Sequence, residues 1–270
     1  MAKNKKSLKI IVVSSKGGVG KSTVAMQIVA PYLYTNNNNK PINFYEFDDE
    51  NIDSLSYGAS KLTKREPIDV EEFILMDKFI DILSSNKHCC IDVGGNKSTT
   101  MCLDALNDCG MGEMIDIAII PLLDGEQDAI NAKNVYSKLK ECSPDIKILF
   151  ALNRVNNPKY IKYQFENFFG DIRGIFDDEY AIINHIQENE KNNYISIDNN
   201  DVIKFSRKFG ITVYEIAAQD RDFVSEFKST NEEKLKKLVG FKHYVYQNSK
   251  KYYEQTLKIC FNKLDELIKI

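Results

Sequence analysis

The 270-residue sequence has no apolar run approaching the ~18 residues that a membrane-spanning helix needs. Its three histidines, His88, His185 and His243, are scattered and have no metal-ligand spacing, so no zinc site is implied. None of the six cysteines (Cys89, Cys90, Cys102, Cys109, Cys142 and Cys260) forms a CxxC pair. They sit mostly in apolar segments and are expected to be buried free thiols in a reducing compartment. A thiol nucleophile at Cys89 or Cys90 would need a positioned base that the sequence does not reveal. Internal repeats and Pro/Gly/Ser-rich linkers are also missing. One domain over 1–270 is therefore expected, with 229–270 as a helical carboxyl-terminal extension. The start, MAKNKKSLKIIVVSS, is basic and then apolar, but its apolar run is short and meets a glycine turn, so no secretory leader is inferred. The expectation is a soluble cytoplasmic protein.

An excess of one charge is lacking as well, since the net charge is −3. The distribution is uneven. From Lys228 to Ile270 ten lysines face five acidic residues, which makes a basic tail on an acidic body.

What is present is alternation. LKIIVVS (Leu8 to Ser14), PINFYEF (Pro41 to Phe47), HCCIDVGG (His88 to Gly95), IDIAIIPL (Ile115 to Leu122) and IKILFAL (Ile146 to Leu152) fit strands buried on both faces. YISI (Tyr194 to Ile197) fits a late strand. Helical periodicity follows the first glycine turn and recurs over Val70 to Ser85, Thr99 to Cys109 and Glu126 to Cys142. A further helix opens within Thr212 to Ala218, and one or two close the chain. This order predicts an α/β fold: a doubly wound, mostly parallel sheet with helices on both faces and extra carboxyl-terminal helices.

The chemistry sits at SSKGGVGKST, Ser14 to Thr23. Gly20-Lys21-Ser22 fills the second half of a P-loop, the Gly-x-x-x-x-Gly-Lys-[Ser/Thr] turn. There, backbone N–H groups wrap a phosphate while a lysine and a helix N-terminus neutralise it. The first glycine position is Ser15, followed by Lys16-Gly17-Gly18. A plain glycine-rich turn would not need GKS at this spacing, so nucleotide binding is expected.

KGGVGKST resembles the deviant Walker A box of the ParA/MinD family of P-loop ATPases. The resemblance covers Leu8 to about Ala218 and implies ATP and Mg²⁺ as ligands. It also implies a homodimer closed on two nucleotides, in which Lys16 reaches the partner's phosphates and Lys21 holds its own. The loop residues Gly17, Gly18, Val19, Gly20, Lys21, Ser22 and Thr23 would bind nucleotide, with Thr23 at the α-phosphate. Ser22 and Asp92 would hold the metal, Asp92 through a bound water. The family's Asp-x-Asp-Pro appears here as Glu46-Phe47-Asp48-Asp49, so Asp48 would position the attacking water, with Asp49 as the register alternative. After Asp92 the family's proline is replaced by Gly94-Gly95, whose N–H groups would contact the γ-phosphate. Asn153 and Arg154 would meet the adenine, with Ile197 and Asp198 beside it.

As the resemblance implies, hydrolysis would be slow and partner-stimulated. The switch would position plasmid, chromosome or protein cargo with a ParB-like or other stimulating protein. The departures at Glu46 and Gly94-Gly95 look more like ATPases of plasmid stability and conjugation loci. They also motivate a second reading, a nucleotide-dependent scaffold with negligible turnover. A reductase of the nitrogenase iron-protein type would need bridging cysteines; the surroundings of Cys102 and Cys109 do not fit. For the lysine-rich tail the first expectation is a helix packing Phe241, Val245, Tyr252, Ile259 and Leu267 on the body. Nonspecific DNA binding is placed second and a MinD-like membrane surface third.

Overall fold

The computed structural model describes residues 7–47, 53–70, 72–175 and 179–269. Among them seven strands form one all-parallel sheet. They are β1 (Lys9–Val12), β2 (Ile42–Phe47), β3 (Thr63–Pro67), β4 (Cys89–Val93), β5 (Ile117–Leu122), β6 (Lys147–Val155) and β7 (Tyr194–Asp198), in the order β3-β2-β4-β1-β5-β6-β7. A parallel strand needs a crossover, and the helical stretches between strands supply it on both faces.

Strand β1 shows how the run LKIIVVS builds two cores at once. Ile11 and Val13 enter one apolar cluster, with side chains from the helices Glu72–Ser84, Asn96–Asp108 and Glu126–Cys142. Ile10 and Val12 enter the opposite cluster, with the helical run that follows the glycine turn and with Tyr252, Leu257, Cys260, Leu264 and Leu267 from the carboxyl-terminal end. Alternate residues of a strand point to opposite faces, so a strand covered on both sides must be apolar throughout.

The helical run after the glycine turn is not a single regular helix. Lys21–Val24 passes through one π-helical turn, Ala25–Val29, into Ala30–Asn36. Within that turn the buried Gln27 bonds to three other segments. It donates to the Tyr57 hydroxyl (3.0 Å) and the Ser206 hydroxyl (2.9 Å) and accepts from the Val213 N–H (2.9 Å). A buried amide left unbonded would cost stability, so this node fixes the run against the later helices Asp201–Phe209 and Val213–Ala217.

The tail forms helices Phe223–Ser229, Glu233–Tyr252 and Lys258–Lys269, the last two joined through a π turn at Tyr253–Leu257. Val245, Tyr252 and Leu267 are buried, and Phe241 packs edge-on against Phe205 at 5.1 Å. The expectation fails at Ile259, which is 60% exposed. The π turn shifts the phase of the helix there, so a uniform 3.6-residue period overruns it. No helix is long and apolar enough to cross a membrane among the described residues. All six cysteines are free thiols; Cys89, Cys90, Cys102 and Cys260 are buried, and Cys109 and Cys142 partly so.

Candidate functional site

Strand β1 lies between β4 and β5, which are consecutive in the chain but fall on its two sides. A crevice at such a point, beyond the carboxyl ends of the strands, is where open parallel sheets bind ligands. The turn Ser14 to Gly20 leaves β1 at that place. Gly18 (φ 78°) and Gly20 (φ 95°) are left-handed. A Cβ on Gly20 would stand 1.9 Å from Asn153 Nδ2, so glycine is required there on two grounds. Gly17 and Gly18 are exposed, and a Cβ on either would meet open space, which leaves their backbone accessible.

Lys21, at the start of its helix, is buried to 9% exposure and donates from Nζ to the Lys16 carbonyl at 3.1 Å. Its ammonium is thus folded back over the turn, the place from which it can meet a phosphate. Ser22 is half-buried and Thr23 buried on the same first turn.

Lys16 does not extend freely. Its Nζ lies 2.8 Å from Asp128 Oδ2 on the helix Glu126–Cys142. The Asp128 side chain is 4% exposed and that of Lys16 37%. Sequence reasoning treats Glu126-Gln127-Asp128 as a helix start and misses this pairing, since nothing local marks a contact 112 residues away.

Asp92 lies in β4, beside Val12 in β1 and Glu46 in β2, and both carboxylate residues are buried. The neighbouring Cys90 thiol is raised well above its ordinary value by burial first, then by the negative fields of Asp92, Cys89 and Glu46. Two carboxylate side chains thus stand on the adjacent strands β4 and β2, close to the Cys90 thiol. Among the described residues no group of three or more His, Cys, Asp or Glu converges on a protein-only metal site. Ser22 and Asp92 fit the sparser set with which a protein holds Mg²⁺ when phosphate oxygens and water complete the shell.

The helix Asn96–Asp108 ties the two loops together. The Thr99 hydroxyl lies 3.1 Å from the Ser14 carbonyl and 3.0 Å from the Gly94 carbonyl. The Gly94 N–H, expected to face a γ-phosphate, instead donates to the Phe47 carbonyl at 2.6 Å. That hydrogen bond continues the ladder between β2 and β4, so the donor is used inside the sheet.

Asn153 holds the glycine turn from the end of β6. Its Nδ2 donates to the Val19 carbonyl (2.8 Å) and its Oδ1 accepts from the Arg154 N–H (2.9 Å), so both ends of the amide are engaged. In this arrangement it clasps the glycine turn, while the second N–H and the second oxygen lone pair of the amide are not used by these two bonds. Arg154 has a left-handed φ of 58° at an irregularity between β6 and β7. The Ile197 side chain is buried in the core and takes no part in the cavity lining. Asp198 does line the cavity, and it accepts from the Thr256 hydroxyl at 3.0 Å. This cavity, of about 290 Å³, adjoins Gly20 and Thr23. Asp48 and its register alternative Asp49 lie outside the described residues.

No family model matches the chain, and no curated protein matches it. Solved structures do. A Cyanothece McdA variant in complex with ATP superposes with a TM-score of 0.53 at 12% identity, over 78% of this chain and 91% of that one. The chain has the fold of McdA. At 12% identity the likeness shows the fold and nothing further. A putative plasmid partition protein of Borrelia burgdorferi B31 bound to AMPPNP gives 0.49 at 12% identity, over 90% of this chain and 99% of that one. The septum site-determining protein MinD of Pyrococcus horikoshii OT3 with Mg-ADP gives 0.45 at 16%, over 76% and 86%.

Proposed function

We propose that the chain is a Mg²⁺-dependent ATPase of the ParA/MinD type, a dimerisation switch that positions DNA or a protein cargo. One observation carries this. The glycine turn leaves the central strand in a left-handed course that only glycine allows, and Lys21 is folded over it while Lys16 waits on its rim. The N–H groups from Gly17 to Ser22 would bind phosphate oxygens, and Lys21 would neutralise their charge. When bound, Mg²⁺ would neutralise charge on the transferred phosphate, held by Ser22 and by Asp92 through water. Asp48 would orient the attacking water. Lys16, once released from Asp128, would offer its charge to the other subunit's phosphates. The stimulating protein, a role for DNA at the lysine-rich surface and a cytoplasmic location belong to the same proposal.

A second reading, a scaffold that binds ATP with negligible turnover, is favoured by Glu46 in place of the first aspartate and by the use of the Gly94 N–H inside the sheet.

Equilibrium binding of a fluorescent ATP analogue, followed by phosphate release, tests the proposal on wild type and Lys21→Ala. Binding by wild type with loss in the variant supports it. Turnover then separates the ATPase from the scaffold. Equal binding by both proteins, or by neither, overturns it.

A further inference from the structure

Arg207 stands on the helix Asp201–Phe209, far from the glycine turn in sequence, yet its guanidinium reaches that turn's helix. Its Nη2 donates to the Thr23 hydroxyl and its Nε to the Tyr57 hydroxyl at 3.1 Å. Tyr57 is fully buried, and its hydroxyl is itself held by Gln27. Gln27 also bonds Ser206, the residue before Arg207, so both the root and the head of the arginine are fixed from the nucleotide-loop helix. The side chain borders the cavity beside Gly20, Thr23 and Asn153. Among the described residues no carboxylate forms an ion pair with it. Asp198 and Asp201 share the cavity, and Asp198 is turned to Thr256.

A guanidinium has five N–H donors, of which these contacts use two. The remainder form the planar fork that suits phosphate oxygens. Thr23 has one hydroxyl proton, and accepting from Arg207 leaves that proton free to donate to another acceptor. We propose that Arg207 is a second cationic ligand for the nucleotide and grips its α-phosphate together with Thr23. The inference rests on the nucleotide-binding reading above. It adds a cationic contact from the carboxyl-terminal half of the chain to a site whose proposed phosphate ligands otherwise come from the glycine turn and the start of its helix.

The test is equilibrium binding of ATP, ADP and the Rp and Sp isomers of ATPαS to wild type, Arg207→Ala, Arg207→Lys and Lys21→Ala. ATP and ADP share the α-phosphate, so Arg207→Ala weakens both equally, by about tenfold or more. Wild type discriminates between the two sulfur isomers, and Arg207→Ala loses that preference. Arg207→Lys recovers part of the affinity without the isomer preference, because a point charge lacks the fork. If Arg207→Ala binds ATP and ADP within roughly twofold of wild type while Lys21→Ala loses binding, Arg207 is a structural strut and the nucleotide reading stands. A loss confined to ATP moves the contact to the γ-phosphate and overturns the α assignment. If wild type binds none of the four, both readings fall.

Discussion

Lys16 Nζ and Asp128 Oδ2 form an ion pair 2.8 Å apart within one chain, its acidic member almost wholly buried. The proposed switch needs this lysine elsewhere, on the phosphates of a second subunit. The pair is therefore a competitor of the dimer: the energy that holds Lys16 at home must be replaced by phosphate contacts on closure. Half of the pair is solvent-screened through Lys16, which keeps the barrier modest.

Asp128→Ala removes the competitor. ATP-dependent association is expected to shift to lower protein concentration, with nucleotide affinity of the monomer unchanged. Analytical ultracentrifugation across a concentration series reads the first and nucleotide titration the second. An unshifted association curve would show that the ion pair does not restrain Lys16.

Gly20→Ala meets two obstacles, a φ of 95° and a Cβ that would lie 1.9 Å from Asn153 Nδ2. Backbone strain of this kind costs about 1–3 kcal/mol, and the Asn153 clasp must give way as well. Urea denaturation is expected to show the loss, and nucleotide binding is expected to fall with it. Full stability in the variant would mean the turn relaxes without cost.

Thr99→Val keeps the shape of the side chain and deletes the hydroxyl shared by the Ser14 and Gly94 carbonyls. The lost hydrogen bond costs about 1 kcal/mol, read by denaturation, and Thr99→Ser is expected to recover most of it. Equal stability of valine and threonine would show that the hydroxyl contributes nothing.

Burial also predicts a dependence on alkaline pH. The Cys89 and Cys260 thiols are pushed up to about 12, and Cys90 well above its usual value, all chiefly by burial. Their ordinary value is 9.0. The folded chain thus retains protons that the unfolded chain releases, so stability is full below about pH 9 and falls as pH rises through and beyond it. Denaturation midpoints are expected to drop between neutral pH and about pH 10, less steeply in Cys260→Ala. A flat profile would contradict the assignment of these thiols to the core.

Much of this architecture was legible because its strands are buried on both faces. LKIIVVS and IDIAIIPL must be apolar throughout, and such runs stand out. Strand β3 (Thr63–Pro67, TKREP) was not legible. It is one of the two outer strands, partly in water, and its charges and terminal proline suit an edge while hiding its pairing with β2. The glycine turn and Lys21 were legible because their chemistry is local. Asn153, Asp128 and Arg207 act on the same turn from other parts of the chain, and only the fold brings them to it. The stretch before β7 resisted reading because it is built of short turns, such as Ile182–Asn184 and Glu188–Glu190, too brief to show a period.

The most direct test of the switch is the mass in solution of wild type and Lys16→Ala with ADP and with ATP plus Mg²⁺, with phosphate release followed in the same samples. The expected result is a wild-type dimer with ATP plus Mg²⁺ and not with ADP, slow release of phosphate, and loss of that release in Lys16→Ala while nucleotide binding persists. A monomer in every state, or a Lys16→Ala variant that hydrolyses as wild type does, would contradict it.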